Sequence, residues 1–215
     1  MSTSTPSASE SWSRKWLRWR RSRLPDFRRG GFVAWGLSNG QFTAYQLAQR
    51  SKALGYEWLA LEIDDYGNHA RWSTFRTACY AHGLMAGVWV TDGWNMSMTP
   101  PDAEFLIVEM ESAGDYDGIM NHPTPTIPHA IVTNFGPFTD SGRDPAPLIA
   151  EGWVCQTECY MGDNPNATPD RLNWTAQQWG WAHTQPVFGL YNAPASTYAQ
   201  WADWPGADYL MENVL

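Results

Sequence analysis

Six acidic side chains stand at or near the ends of apolar, β-rich runs. Glu62 and Asp64 close EWLALEID (57–64), Asp92 follows MAGVWVT (85–91), Glu109 and Glu111 close EFLIVEME (104–111), and Glu158 lies in WVCQTECY (153–160). Residues two apart in a strand share a face. Ala60, Glu62 and Asp64 therefore line up, as do Val88, Val90 and Asp92; Phe105, Ile107, Glu109 and Glu111; Val154, Gln156, Glu158 and Tyr160; and Asp208, Leu210 and Glu212. A carboxylate two residues inside an apolar run is costly without a use. Carboxylates that converge raise one another's pKa, so that one stays protonated beside an ionised partner. Glycoside hydrolysis uses such a pair most directly. The competing reading, solvated acids or ion pairs on a rim, is the better one for Asp102, Glu104, Asp115 and Asp117.

The elements that must position these acids alternate between strand and helix. The first strand is GFVAWGLS (31–38), followed by a helix over 43–54 that stops at Gly55, the second strand (57–64), and a helix over 69–82 that stops at Gly83. The third strand (85–91), fourth (104–111) and fifth (130–135) follow, then a short helix near 145–151 and the sixth strand (153–160). A helix over 169–182, the seventh strand (186–191), a helix over 196–203 and the eighth strand (207–214) complete the pattern. The spacing predicts an α/β chain forming a reduced (β/α)8 TIM-type barrel, since eight strands separated mostly by helices favour closure. It is reduced because 92–103 and 112–129 are rich in Pro, Gly and Asn without helical periodicity, and no helix follows the last strand. A doubly wound sheet is the alternative, weakened by the lack of a Gly-rich phosphate loop after the first strand. In a parallel barrel the C-terminal strand ends form one mouth, where the acids would gather.

Charge divides the chain in two. The first 30 residues hold 8 of the 14 basic side chains against Glu10 and Asp26, whereas the remaining 185 carry a net charge of −14. This predicts a basic N-terminal arm over 1–30 and an acidic barrel domain over 31–215. Within the arm, Trp12, Trp16 and Trp19 recur at helical spacing among basic residues that include Arg18, Arg20 and Arg21, and Pro25 ends the pattern. Three readings compete for this cationic amphipathic helix: packing onto its own acidic barrel, docking into another subunit of a larger assembly, and binding an anionic surface such as nucleic acid or lipid. Protein docking is favoured, and the acidic barrel disfavours nucleic acid.

The chain has 215 residues, 43% of them apolar, enough for one sizeable core. Most of the 14 Trp are expected in that core. Cys79, Cys155 and Cys159 predict no disulfide framework, and the five His show no zinc spacing, so no metal or cofactor is expected. No apolar run is long enough to span a membrane. Arg20-Arg21 lacks the apolar stretch of an export signal, so the sequence predicts a protein made in the cytoplasm without a signal peptide.

The order of these segments resembles the family-25 glycoside hydrolases, muramidases of phages and bacteria. Gly31 to Gln41 (GFVAWGLSNGQ) looks like that family's G-x-D-V-S-x-x-Q-G first strand, without an acid at the Asp position. Lys52 to Glu62 is similar to its helix end and second strand, and Tyr80 to Trp89 (YAHGLMAGVW) to its third-strand entry. The family's D-x-E falls on Glu109-Met-Glu111. The resemblance implies that Glu111 is the proton donor and Glu109 its electrostatic partner, with Asp64 or Asp92 replacing the missing first-strand acid. It places the family's sixth-strand aromatic on Tyr160, and with it Glu62, Trp35, Trp94, Glu158 and Tyr191 are the expected substrate-binding positions.

Two functions follow as expectations. One is a glycoside-hydrolase-like barrel attached by its arm to a virion, in a phage tail or capsid, or at a cell surface, where it binds glycan. The alternative is an active peptidoglycan muramidase using the E-x-E pair.

Overall fold

A computed structural model describes residues 30–33, 42–63, 66–160, 169–181, 184–189 and 208–210. The arm residues Trp12, Trp16, Trp19, Arg18, Arg20 and Arg21, the expected helix over 196–203, and Trp35, Asp64, Tyr191 and Glu212 lie outside them.

Among the described residues the order is β1 (Gly30–Val33), α1 (Ala44–Ala53), β2 (Trp58–Glu62), α2 (Tyr66–Ala81), β3 (Met85–Val90), a 3-10 helix (Gly93–Met98), β4 (Leu106–Glu109), α3 (Ala113–Asn121), β5 (His129–Thr133), α4 (Gly136–Thr139), α5 (Ala146–Ala150), β6 (Val154–Tyr160), α6 (Pro169–Gln178), β7 (Thr184–Gly189) and β8 (Asp208–Leu210). All strands pair in parallel and in chain order. The architecture is α/β with a curled parallel sheet, a partial β/α barrel. Among the described residues it falls short of a full TIM barrel because the eightfold repeat of strand and helix is incomplete. The β3 to β4 connection is a 3-10 turn, and β8, only three residues long, meets β7 and β1 through two paired positions each.

Local chemistry sets the helix ends. Thr43 accepts from the Gln46 backbone N–H while the Gln46 side chain accepts from the Thr43 N–H, a reciprocal cap that starts α1. The chain leaves α1 at Gly55 (φ 85°) and α2 at Gly83 (φ 67°), left-handed positions that a side chain would strain. In α2 the buried Trp72, Phe75, Ala78 and Cys79 form the stripe that faces the sheet.

Two segments depart from the sequence expectation. The stretch 112–129, expected as a loop, contains α3, and 92–103 contains the 3-10 helix. Both helices are capped at their starts: Asp92 accepts from Trp94 N at 2.8 Å, and Ser112 and Asp115 form a capping box. They also pack backbone to backbone through glycines. A Cβ on Gly93 would lie 2.3 Å from Asp115 O, and one on Gly118 would lie 2.8 Å from Trp94 N. The glycines that made these segments read as loops are what permits this helix contact. The four-residue α4 was not anticipated either; it follows directly on β5, where sequence periodicity is too short to register.

Two apolar clusters occupy the two faces of the sheet. The larger lies between strands and helices and includes Leu59, Leu61, Ile63, Val88, Val90, Leu106, Val108 and Ile131. The smaller fills the interior of the curl with Phe32, Trp58, Ala60, Trp89, Phe105, Ile107, Ala130 and Val132. There the rings meet edge to face: Phe32 against Trp58 at 5.7 Å and Trp89 at 5.1 Å, and Trp58 against Phe105 at 5.4 Å. Gly30 and Gly87 make room for them, since a Cβ would lie 1.7 Å from Trp58 Cε2 and 2.1 Å from Phe105 Cε2. Among the described residues Trp58, Trp72, Trp89, Trp153 and Trp181 are buried in the core, whereas Trp94 and Trp174 are exposed. Cys79 and Cys155 are free and buried, and burial pushes both thiols well up.

Candidate functional site

The apolar interior gives way to acids toward the C-terminal strand ends. On β4 the inward series Phe105, Ile107 continues to Glu109; on β2 it runs Trp58, Ala60, Glu62; on β6 it runs Val154, Gln156, Glu158. Paired residues of a parallel ladder face the same way. Glu62 is in register with Trp89, Glu109 with Val132, which pairs with Gln156, and Glu158 with Val187, which pairs with Asp208. The acids thus sit at successive levels on different strands, and the curl of the sheet turns them toward a common space.

Carboxylate oxygens of Glu109, Glu111 and Glu158 all lie within 4.8 Å of one another. Glu158 is 8% exposed and Glu62 4%, Glu109 is half-buried, and Glu111 is exposed. Burial pushes the Glu109 carboxyl up to about 8, with the charges of Glu158, Glu111, Glu62 and Asp115 adding in that order. At neutral pH Glu109 holds a proton among carboxylates. Within E-x-E, burial distinguishes the half-buried Glu109 from the exposed Glu111.

The turn after β4 is fixed by Asp115. Its Oδ2 accepts from Glu111 N at 3.0 Å, Ser112 N at 2.8 Å and Ser112 Oγ at 2.9 Å. Asp115, assigned to the rim by sequence, thus holds the backbone of a cluster member. Asp102 and Asp117 are rim ion-pair partners as expected, of Arg76 and Arg143. Glu104 accepts from Ala86 N at 2.7 Å, standing in for a ladder carbonyl.

Among the other expected site residues, Asp92 does not join the cluster. Val88 and Val90 belong to the helix-facing cluster, so the alternation that aligns Asp92 with them carries it to the outer face, where it caps the 3-10 helix. On β3 the inward residues are Met85, Gly87 and Trp89, with no acid among them. Trp94 is half exposed but packs beside α3, its ring 6.2 Å from that of His122. Tyr160 is the last residue of β6.

Sequence reasoning missed Asn134. On β5 the inward series is Ala130 and Val132, and Asn134 follows directly on Thr133, the last β5 position in register with β6. The signal was present in AIVTNF (130–135), but an amide was not counted as a chemical group. The cluster could also ligate a hard cation through its oxygens. No protein-family model and no curated protein matches this chain.

Proposed function

We propose that this chain is a divergent, reduced (β/α)8 barrel of the family-25 glycoside-hydrolase type that acts on glycan at Glu109, Glu111 and Glu158. One observation carries the reading: a carboxyl held protonated to about pH 8 within 4.8 Å of two further carboxylates. Glu109 is the general acid that protonates the leaving glycosidic oxygen. Glu158, buried and fixed on β6, is the carboxylate that meets the developing oxocarbenium ion. Retaining glycosidases hold their pair about 5–5.5 Å apart, inverting ones about 6.5–9.5 Å, so the close approach favours retention. Glu111 at the open side supports the charge pattern and reaches substrate.

The test is reducing-end release from peptidoglycan by purified protein across pH 4–8. Glu109→Gln abolishes it under this reading, and the absence of release from the unaltered protein at every pH overturns it.

A second reading, attachment to a virion, is favoured by the 8 basic side chains and three Trp of the first 30 residues, a feature that hydrolysis does not need. It places the barrel on a larger assembly through residues 1–30, displaying the acid cluster to a cell-surface glycan. A truncation of 1–30 that still assembles normally sinks it.

A further inference from the structure

Asn134 is exposed and directly follows Thr133, the last residue of β5, whose inward residues are Ala130 and Val132. The turn that follows is unusually constrained. Phe135 has φ 69°, the only positive φ at a non-glycine among the described residues, and its ring is buried. Its backbone N donates to Thr133 Oγ1 at 3.0 Å, and its carbonyl accepts from Phe138 N and Thr139 N.

Inside this turn the Asn134 amide has one orientation. Gly136 N donates to it at 2.8 Å, and a backbone N–H needs an acceptor, so the contacting atom is Oδ1 and Nδ2 is turned away with two protons to give. Gly136 also ties the turn to the acid-bearing strand. A Cβ there would lie 3.0 Å from Asn134 Oδ1, 3.6 Å from Glu111 O and 3.7 Å from Asp140 Oδ2, so the amide oxygen and the Glu111 backbone lie on opposite sides of the same glycine.

We propose that Asn134 orients the substrate, its Nδ2 donating to an oxygen of the glycan held against Glu109, Glu111 and Glu158. This inference rests on the glycan reading of the cluster and adds a ligand-binding group to it. Three carboxylates offer a sugar hydroxyl only acceptors once ionised, whereas a substrate oxygen with lone pairs needs a donor. Asn134 supplies a neutral donor that leaves the Glu109 proton in place for the reaction. The charge-free amide also avoids the ion pair that a lysine or arginine would form with the cluster.

Asn134→Asp separates this role from a structural one, because a carboxylate oxygen still accepts from Gly136 N and keeps the turn, while the donor is lost. Binding and cleavage of a β-1,4-linked N-acetylglucosamine tetramer and of peptidoglycan fragments are compared for the unaltered chain and for Asn134→Asp and Asn134→Ala, with thermal unfolding as the check on folding. The Glu109 titration is followed by carbon NMR in each. The expected result is an affinity or kcat/KM lowered about tenfold in both variants, with Asn134→Asp as thermally stable as the unaltered chain and its Glu109 titration moved upward by the added charge. An unmoved Glu109 titration overturns the placement of Asn134 at the cluster, whatever the ligand. A moved titration with full glycan activity in Asn134→Asp overturns the donor role alone. An unaltered chain that neither binds nor cuts either glycan overturns the glycan reading, and the donor role with it.

Discussion

Glu109 and Glu158, carried by β4 and β6 with β5 between them, bring carboxylate oxygens within 4.8 Å of each other at the C-terminal end of the sheet. Neither strand could place them so alone. Glu158 stands one inward level beyond the residue in register with Glu109, and the curl of the sheet closes the remaining distance.

The pH dependence of activity follows from the Glu109 proton. A general acid works only while protonated, so kcat/KM is expected to fall on the alkaline side of about pH 8, where Glu109 ionises. A profile measured over pH 4–9 checks this, and an alkaline limb near pH 5 would remove Glu109 from the acid role.

Stability should depend on the same proton with a defined sign. The Glu109 pKa rises from 4.5 in the unfolded chain to about 8 when folded, so the folded state holds the proton more tightly. The contribution of Glu109 to stability is therefore greatest below pH 4.5, falls as pH rises from 4.5 to about 8, and levels off beyond. Glu109→Gln removes the penalty. It should raise the midpoint of thermal unfolding by roughly 2–4 °C or more at pH 8, and leave it nearly unchanged at pH 4. A variant less stable than the parent at pH 8 would contradict the buried-acid account.

Asp115→Ala removes the acceptor for Glu111 N, Ser112 N and Ser112 Oγ together. Loss of the cap should cost about 0.5–2 kcal/mol in urea unfolding. It should also lower the Glu109 titration, since Asp115 contributes to raising it. Asp115→Asn keeps an acceptor oxygen and should recover most of the stability while still lowering the titration.

Gly87→Ala tests the aromatic interior. The added Cβ falls 2.1 Å from the Phe105 ring, which is fully buried beside Trp58 and cannot swing aside. Overpacking of this kind costs typically 1–3 kcal/mol. Chemical denaturation should show at least that loss, and near-ultraviolet circular dichroism should show a change in the Trp signal.

The strands were legible because each is a short apolar run between glycines or helix caps, and α1 and α2 because Gly55 and Gly83 mark their ends. Helix α3 was not. Gly114 and Gly118 lower its intrinsic propensity, and beyond its local Ser112–Asp115 cap it is stabilised by backbone contact with the 3-10 helix, which joins residues from different segments. Alternation also gave Asp92 its companions correctly, Val88 and Val90, yet could not say which face of β3 is inside. Both faces of that strand are apolar and buried, so pattern alone does not distinguish them.

By itself the sequence determined that the chain alternates strand and helix, that acids end several strands, and that Glu109 and Glu111 share a face. Those are properties of a single segment, set by a two-residue period and by local caps. Only the tertiary structure decided that Glu158 joins them, that Asp92 turns outward, and that burial pushes the Glu109 carboxyl up. Each of these depends on ladder register and on how much water burial removes from a carboxylate. Both are set by strands that are neighbours in space and distant along the chain.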